Sequence, residues 1–259
     1  MVQLFLIYNM KGAIYIFIFF IQISDVTASS LEVSETILEN TKPASEDGHG
    51  MTGGSIVALV NMYRELLTKH DKEDDRTEDN KVFTNNIVRA TSVLIKHELG
   101  WNEIKSQSVR SKTFSRILSS MDNIGYIFGK SLQQNNAECN QSEHVFPSKN
   151  VNLKVRAISA SNTGMKNCFT FGSSGSICLP PADKSDKDED KTCSVNVASS
   201  FSIESEKSKY FPSSLRSDNK SIFGNSLIGS TNENGSIGMQ LPEDSEPIVV
   251  TFNHEESKV

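Results

Sequence analysis

Chemistry in this chain of 259 residues would have to come from five histidines, four cysteines and a few acidic clusters. A general base needs a partner within hydrogen-bond reach. His49, His70, His97, His144 and His254 stand singly, in a linker, at helix ends and in loops. A structural or solvent-facing role is expected for each of them. Gly172-Ser173-Ser174-Gly175-Ser176 approaches the G-x-S-x-G nucleophile elbow but carries Ser176 where the second glycine belongs, so it reads as a turn. Asp186, Asp188 and Asp190 alternate as EF-hand ligands do. Lys191 and Val197, however, occupy the positions that need the turn glycine and the bidentate glutamate. The acids from Asp71 to Asp79 are interleaved with Lys72 and Arg76, as in a solvated connection. No G-x-x-x-x-G-K-[ST] phosphate loop occurs, since Gly129-Lys130-Ser131 has Ile124 where the first glycine belongs. The sequence therefore assigns no catalytic residue, no metal ligand and no cofactor.

Cys139, Cys168, Cys178 and Cys193 form no C-x-x-C pair and, apart from Cys139 five residues before His144, lie far from the histidines, which argues against zinc. Disulfides suit them better if the chain is exported, and its first residues imply export. Lys11 precedes an apolar run from Gly12 to Ile23, and Val26-Thr27-Ala28 follows with small or short residues where a leader peptidase cuts. That core falls short of the ~20 residues a membrane-spanning helix needs. Residues 1–28 are expected to be a secretory signal cleaved near Ala28, with a retained anchor as the alternative. Four cysteines allow three pairings. Cys168 and Cys178 flank the hairpin-like FTFGSSGSI, and a local bridge between them is preferred. Asn140, Asn219 and Asn234 open N-x-S triplets, glycosylation acceptors in form.

The elements that must carry these residues fall into two halves. The net charge of -6 supplies no basic footprint for nucleic acid. Residues 29–54, with Pro43 and a Gly-rich stretch, read as a linker. Three amphipathic helices then share one core across residues 53–133, expected to be an autonomous unit. Ser55 caps a face of Ile56, Leu59, Val60, Tyr63 and Leu67. Phe83, Ile87, Ala90 and Leu94 form a second stripe that stops at Gly100. Phe114, Ile117, Leu118, Met121, Ile124, Phe128 and Leu132 form a third. Trp101 is expected to plug that core. From Asn150 the period becomes two: Val151, Leu153, Val155 and Ala157 alternate with Asn152, Lys154 and Arg156, as in a strand with one wet face. Further strands are expected around Cys193 to Ile203, Ile237 to Leu241 and Ile248 to Phe252. The fold class is α+β, a three-helix subdomain followed by an antiparallel β-rich subdomain over residues 150–259.

The order GGSIVALVNMYRELLTKH, VFTNNIVRATSVLI, the tryptophan of LGWNEI and TFSRILSSMDNIGYIFGKSL resembles helical subdomain A of the GAIN domain in latrophilin-type adhesion G-protein-coupled receptors. NVNLKVRAIS, SICLP and EPIVVTFNH are similar to strands of its subdomain B. The resemblance covers most of residues 53–254. It implies an extracellular module beside the membrane that folds around a self-cleaving motif, whose freed strand acts as a tethered agonist of a seven-helix domain. Its partners would be that strand and that domain, with an extracellular protein ligand unspecified. His254 is followed by Glu255, where the family has Leu and Thr, so the catalytic role is not carried onto it. The Cys- and Trp-containing cleavage motif is not among these residues, so the β half is expected to be incomplete at its C-terminus. The implied function is non-catalytic, structural and regulatory. A secreted adhesion or decoy binding protein is the alternative.

Overall fold

The structure is a computed structural model that describes residues 28–46, 51–73, 77–135, 143–159, 167–171, 175–179, 193–203, 224–232 and 249–252. Among these residues five helices precede seven strands: α1 Ser30–Glu46, α2 Gly53–His70, α3 Thr77–Lys96, α4 Glu98–Glu103 and α5 Gln107–Asn135, then β1 Glu143–Pro147, β2 Val151–Ser159, β3 Asn167–Thr170, β4 Gly175–Leu179, β5 Cys193–Ile203, β6 Gly224–Asn232 and β7 Val249–Phe252. The fold is α+β, with antiparallel sheets. It differs from the three-helix reading by α1 and the short α4.

Helix α1 occupies much of the expected linker. Ser29 and Glu32 form a reciprocal capping box: Ser29 N donates to Glu32 Oε2 at 2.9 Å, and Glu32 N donates to Ser29 Oγ at 3.2 Å. Val33, Ile37 and Leu38 then fall on one buried face, and Asn86 of α3 donates to Ser34 Oγ at 3.1 Å. Pro43, a linker residue by sequence, begins the last turn of this helix. Helix α2 starts two residues before the expected cap. Thr52 is extended at φ -75° and ψ 160°, and its side chain, not that of Ser55, accepts from Ser55 N at 3.2 Å. Gly100 is likewise not a stop. Helix α3 ends at Lys96, and Gly100 lies inside α4, where a Cβ would come within 2.6 Å of Met51 O and Ile56 Cδ1.

The second half forms two sheets, β1-β2-β5-β6 and β3-β4-β7. Val151, Leu153, Val155 and Ala157 face the helices, and the buried core runs without a break from α1–α5 into β2 and β5. Helices and first sheet thus share one core, which departs from the expected autonomy of residues 53–133. Ile87, Leu94, Met121, Ile124 and Phe128 are all at most 1% exposed, whereas Leu59 and Leu118 are only partly buried against that core. The opposite face of β2, expected to be wet, lies half-buried under the second sheet. Arg156 stands 4.9 Å over the Phe169 ring and Lys154 5.5 Å over that of Phe171. Long cationic side chains can be covered this way because their stems are apolar and their heads find partners. A small second core of Phe169, Phe171, Ile177 and Ala198 fills the space between the sheets. Strand β5 is buried on both faces from Val195 to Ser200 as a result.

Candidate functional site

The arrangement nearest to catalytic chemistry lies where the C-terminal end of α2 meets the N-terminus of α1. Ser30 Oγ is 2.5 Å from His70 Nδ1 and also donates to Glu73 Oε2. Ser30 N donates to the two Glu73 oxygens at 3.3 and 3.1 Å, and the His70 ring stacks on Phe83 at 3.6 Å. A hydrolytic triad has the hydroxyl and the acid on opposite ring nitrogens. Here Glu73 Oε2 lies 3.8 Å from the same Nδ1 that meets the hydroxyl. Ser30 is 0% exposed and His70 1%, so no substrate carbonyl reaches the hydroxyl. Glu73 instead places negative charge at the positive end of α1, a favourable helix-dipole contact, and joins α1 to the end of α2, while the His70 ring on Phe83 adds α3. Sequence reasoning missed this cluster because Ser30 and His70 are 40 residues apart. The Ser29-x-x-Glu32 capping signature was the available signal for α1.

His97 caps α4, its Nδ1 accepting from Gly100 N at 3.2 Å; burial lowers its pKa, with an opposing contribution from its own backbone and Glu103. His144 sets its ring edgewise on Phe128 at 5.1 Å, and burial, then the Lys81 charge, lowers its pKa. His49 and His254 lie outside the described residues, as do Asn140, Asn219, Asn234, Cys139 and the segment Asp183–Lys191. Cys168 and Cys178 are directly opposed in the β3–β4 register and are joined by a disulfide, with Cα atoms 3.9 Å apart. The hairpin closes where Phe171 N donates to Gly175 O at 2.8 Å and Gly175 takes φ 136°, a conformation that suits glycine.

Compared with known proteins, the chain matches no protein-family model and no curated sequence. Among the described residues no three His, Cys, Asp or Glu side chains cluster as a metal site would need, and no helix is long and apolar enough to cross a membrane.

Two acidic side chains are partly buried. Burial works against ionised Glu143, but hydrogen bonds from Lys154 at 2.7 Å and Arg156 at 2.5 Å outweigh it and hold its pKa below the ordinary value. This triplet joins β1 to β2 and, through Arg156, to the Cys168 carbonyl at 3.4 Å. Asp122 of α5 has no such help. Its Oδ1 is buried without a hydrogen-bond partner, and burial pushes its pKa to about 6 from 3.8. A carboxyl whose folded pKa exceeds its unfolded one binds its proton more tightly when folded. Stability is therefore greatest below about pH 4 as far as this group is concerned, falls as pH rises toward 6, and stays low above it. Asp122→Asn is expected to raise stability at pH 7.5 by at most ~3 kcal/mol and to leave stability at pH 4 nearly unchanged. Denaturant titrations at the two pH values check this; an equal effect at both would remove the ionised carboxylate as the cause.

Proposed function

We propose that the chain is a GAIN-like extracellular region of an adhesion receptor, acting structurally and in regulation of receptor signalling, not as an enzyme. The observation that carries the reading is the pairing of β7 with β4, Val250 opposite Ile177 and Val249 opposite Cys178. Two segments that resemble subdomain B, SICLP and EPIVVTFNH, are thus neighbours in one antiparallel sheet, on a hairpin stapled by a disulfide. Of the helical segments that resemble subdomain A, α3 and α5 pack against the first sheet, and α2 packs on α5. In a whole receptor such a scaffold would hold the agonist strand that follows β7 away from the seven-helix domain. The disulfide supports an oxidising, extracellular location. A bridge closing so short a loop contributes about 3 kcal/mol in the chain-entropy account, beside the apolar contacts of Phe169, Phe171, Ile177 and Ala198.

The test is the transcript beyond the Val259 codon. Codons for a Cys- and Trp-containing cleavage motif followed by seven apolar spans are expected. A stop codon at that place in independent transcripts would overturn the receptor reading and leave a secreted binding protein.

A further inference from the structure

The segment from Ala28 to Ser30 is held from three sides. Lys69 Nζ donates to the Ala28 carbonyl. Ser29 N donates to Glu32 Oε2 at 2.9 Å, and Ser30 N donates to Glu73 at 3.1 Å. Two carboxylates therefore converge on consecutive backbone nitrogens. The side-chain cation beside them is Lys69, 3.9 Å from Glu73 Oε1. While Ser29 N is an amide and His70, 3.8 Å from Glu73 Oε2, is neutral, these two acids and one lysine sum to one negative charge at a helix start, with Glu73 half-buried and Glu32 exposed.

We propose that the Ala28–Ser29 peptide bond is the export processing site, and that the α-ammonium freed on Ser29 becomes the second cation of this cluster. The proposal rests on the export reading above. Hydrolysis by the leader peptidase of the export membrane adds one water across the bond. Ala28 leaves with its carbonyl carbon as a carboxylate, and the Ser29 nitrogen gains the protons that make it an ammonium. Two acids then face two cations. The hydrogen bond to Glu32 becomes charge-assisted, a stronger class than the amide bond it replaces. Lys69 loses the Ala28 carbonyl and turns to Glu73, and the two carboxylates offset its repulsion with the new ammonium.

Two independent observations meet at this bond. Val26-Thr27-Ala28 supplies the small-residue pattern ahead of the cut, and the helix cap begins at the residue after it. A cut one residue later would remove the Ser29 half of the capping box, and one after Ser30 would also remove a fully buried side chain. An earlier cut would leave the Ser29 nitrogen an uncharged amide. Because Ser30 is buried and helical in the folded chain, the peptidase acts before α1 docks.

The full chain is secreted from insect cells, and the N-terminal residue of the product in the medium is determined by sequencing and intact mass. Ser29 is expected. Secreted protein that begins elsewhere overturns the inference and leaves export standing; full-length chain held in membranes with Met1 intact overturns the export reading and the inference with it. The charge role is tested on mature protein with free or acetylated Ser29. Acetylation is expected to lower Tm by about 2–4 °C, as loss of a modest ion pair does at this size, and to lower it less in Glu73→Gln or Glu32→Gln backgrounds. Equal Tm values for the free and acetylated wild-type forms would overturn the cluster's role.

Discussion

Replacing Gly125 and Gly129 together with alanine is expected to destabilise the protein by about 2–4 kcal/mol, the opposite of what the same change does in an exposed helix. Alanine there gains ~1 kcal/mol per site because glycine loses more backbone freedom on folding. In α5 these glycines stand one helical turn apart on the face that meets β5. A Cβ on Gly125 would overlap Val197 Cγ1, and one on Gly129 would overlap Val195 Cγ1. Leu153 Cδ1 of β2 lies 3.3 Å from the same position at Gly125, so there is no slack on that side. Valine has one strongly preferred χ1 and cannot swing away as a long side chain would. The helix must then lift from the sheet, with an overpacking cost of ~2–3 kcal/mol per site, the upper part of the usual range, which the gain of ~1 kcal/mol per site only partly offsets. Denaturant unfolding of the single and double variants measures the loss. Val195→Ala should recover part of the Gly129→Ala loss, since it removes the methyl groups that collide. A Gly129→Ala protein as stable as the parent would mean that α5 does not seat on β5 this closely.

That contact shows how much of the fold was legible in sequence. The apolar stripe from Phe114 to Leu132 marked α5, and its period placed Phe128 and Met121 inside. The strand alternation from Val151 to Ala157 marked β2 over nearly its whole length. Neither pattern says which helix covers which strand. The partner of a buried face is a property of three-dimensional packing, and only the two small residues at helical spacing could have hinted that α5 runs close to a neighbour. The wet face assigned to β2 failed for the same reason: Lys154 and Arg156 look solvated in a one-dimensional pattern, while the aromatic rings that cover them come from β3 and the residue that follows it. Helix α1 was missed because Pro43 and the glycines after it outweighed a capping box and a short apolar face.

The candidate site was legible to a different degree. Cys168 and Cys178 could be paired from local spacing because a hairpin brings residues close in sequence into direct opposition, and the register puts one across from the other. The Ser30, His70 and Glu73 cluster could not be. It depends on the end of α2 meeting the start of α1, and nothing in the spacing of these residues records that meeting. Asp122 was invisible too, since an acid on an amphipathic helix is expected on its solvent face.

Trp101→Ala is expected to cost about 3–5 kcal/mol, the range for truncating a large buried aromatic. Trp101 is 1% exposed and packs at a tilt against Phe114, with ring centroids 6.0 Å apart. Its Nε1 donates to Leu94 O at 2.8 Å. That carbonyl lies near the end of α3, where the last turn leaves acceptors without intrahelical partners. The indole therefore fills the junction of α3, α4 and α5 and also satisfies the carbonyl where the chain turns. The two roles separate by comparison with Trp101→Phe, which keeps most of the apolar contact but leaves a buried carbonyl without this donor. His97 N still reaches this carbonyl, so phenylalanine loses one hydrogen bond, about 0.5–1.5 kcal/mol net, and should retain part of the stability and not all of it. Thermal unfolding of both variants, with amide exchange followed at His97, distinguishes them. His97 N donates to the same Leu94 carbonyl at 3.2 Å, so its protection should fall in the alanine variant as the turn loosens. Stability within ~0.5 kcal/mol of the parent for Trp101→Ala, the range of surface substitutions, would mean that the indole is not the plug of this core.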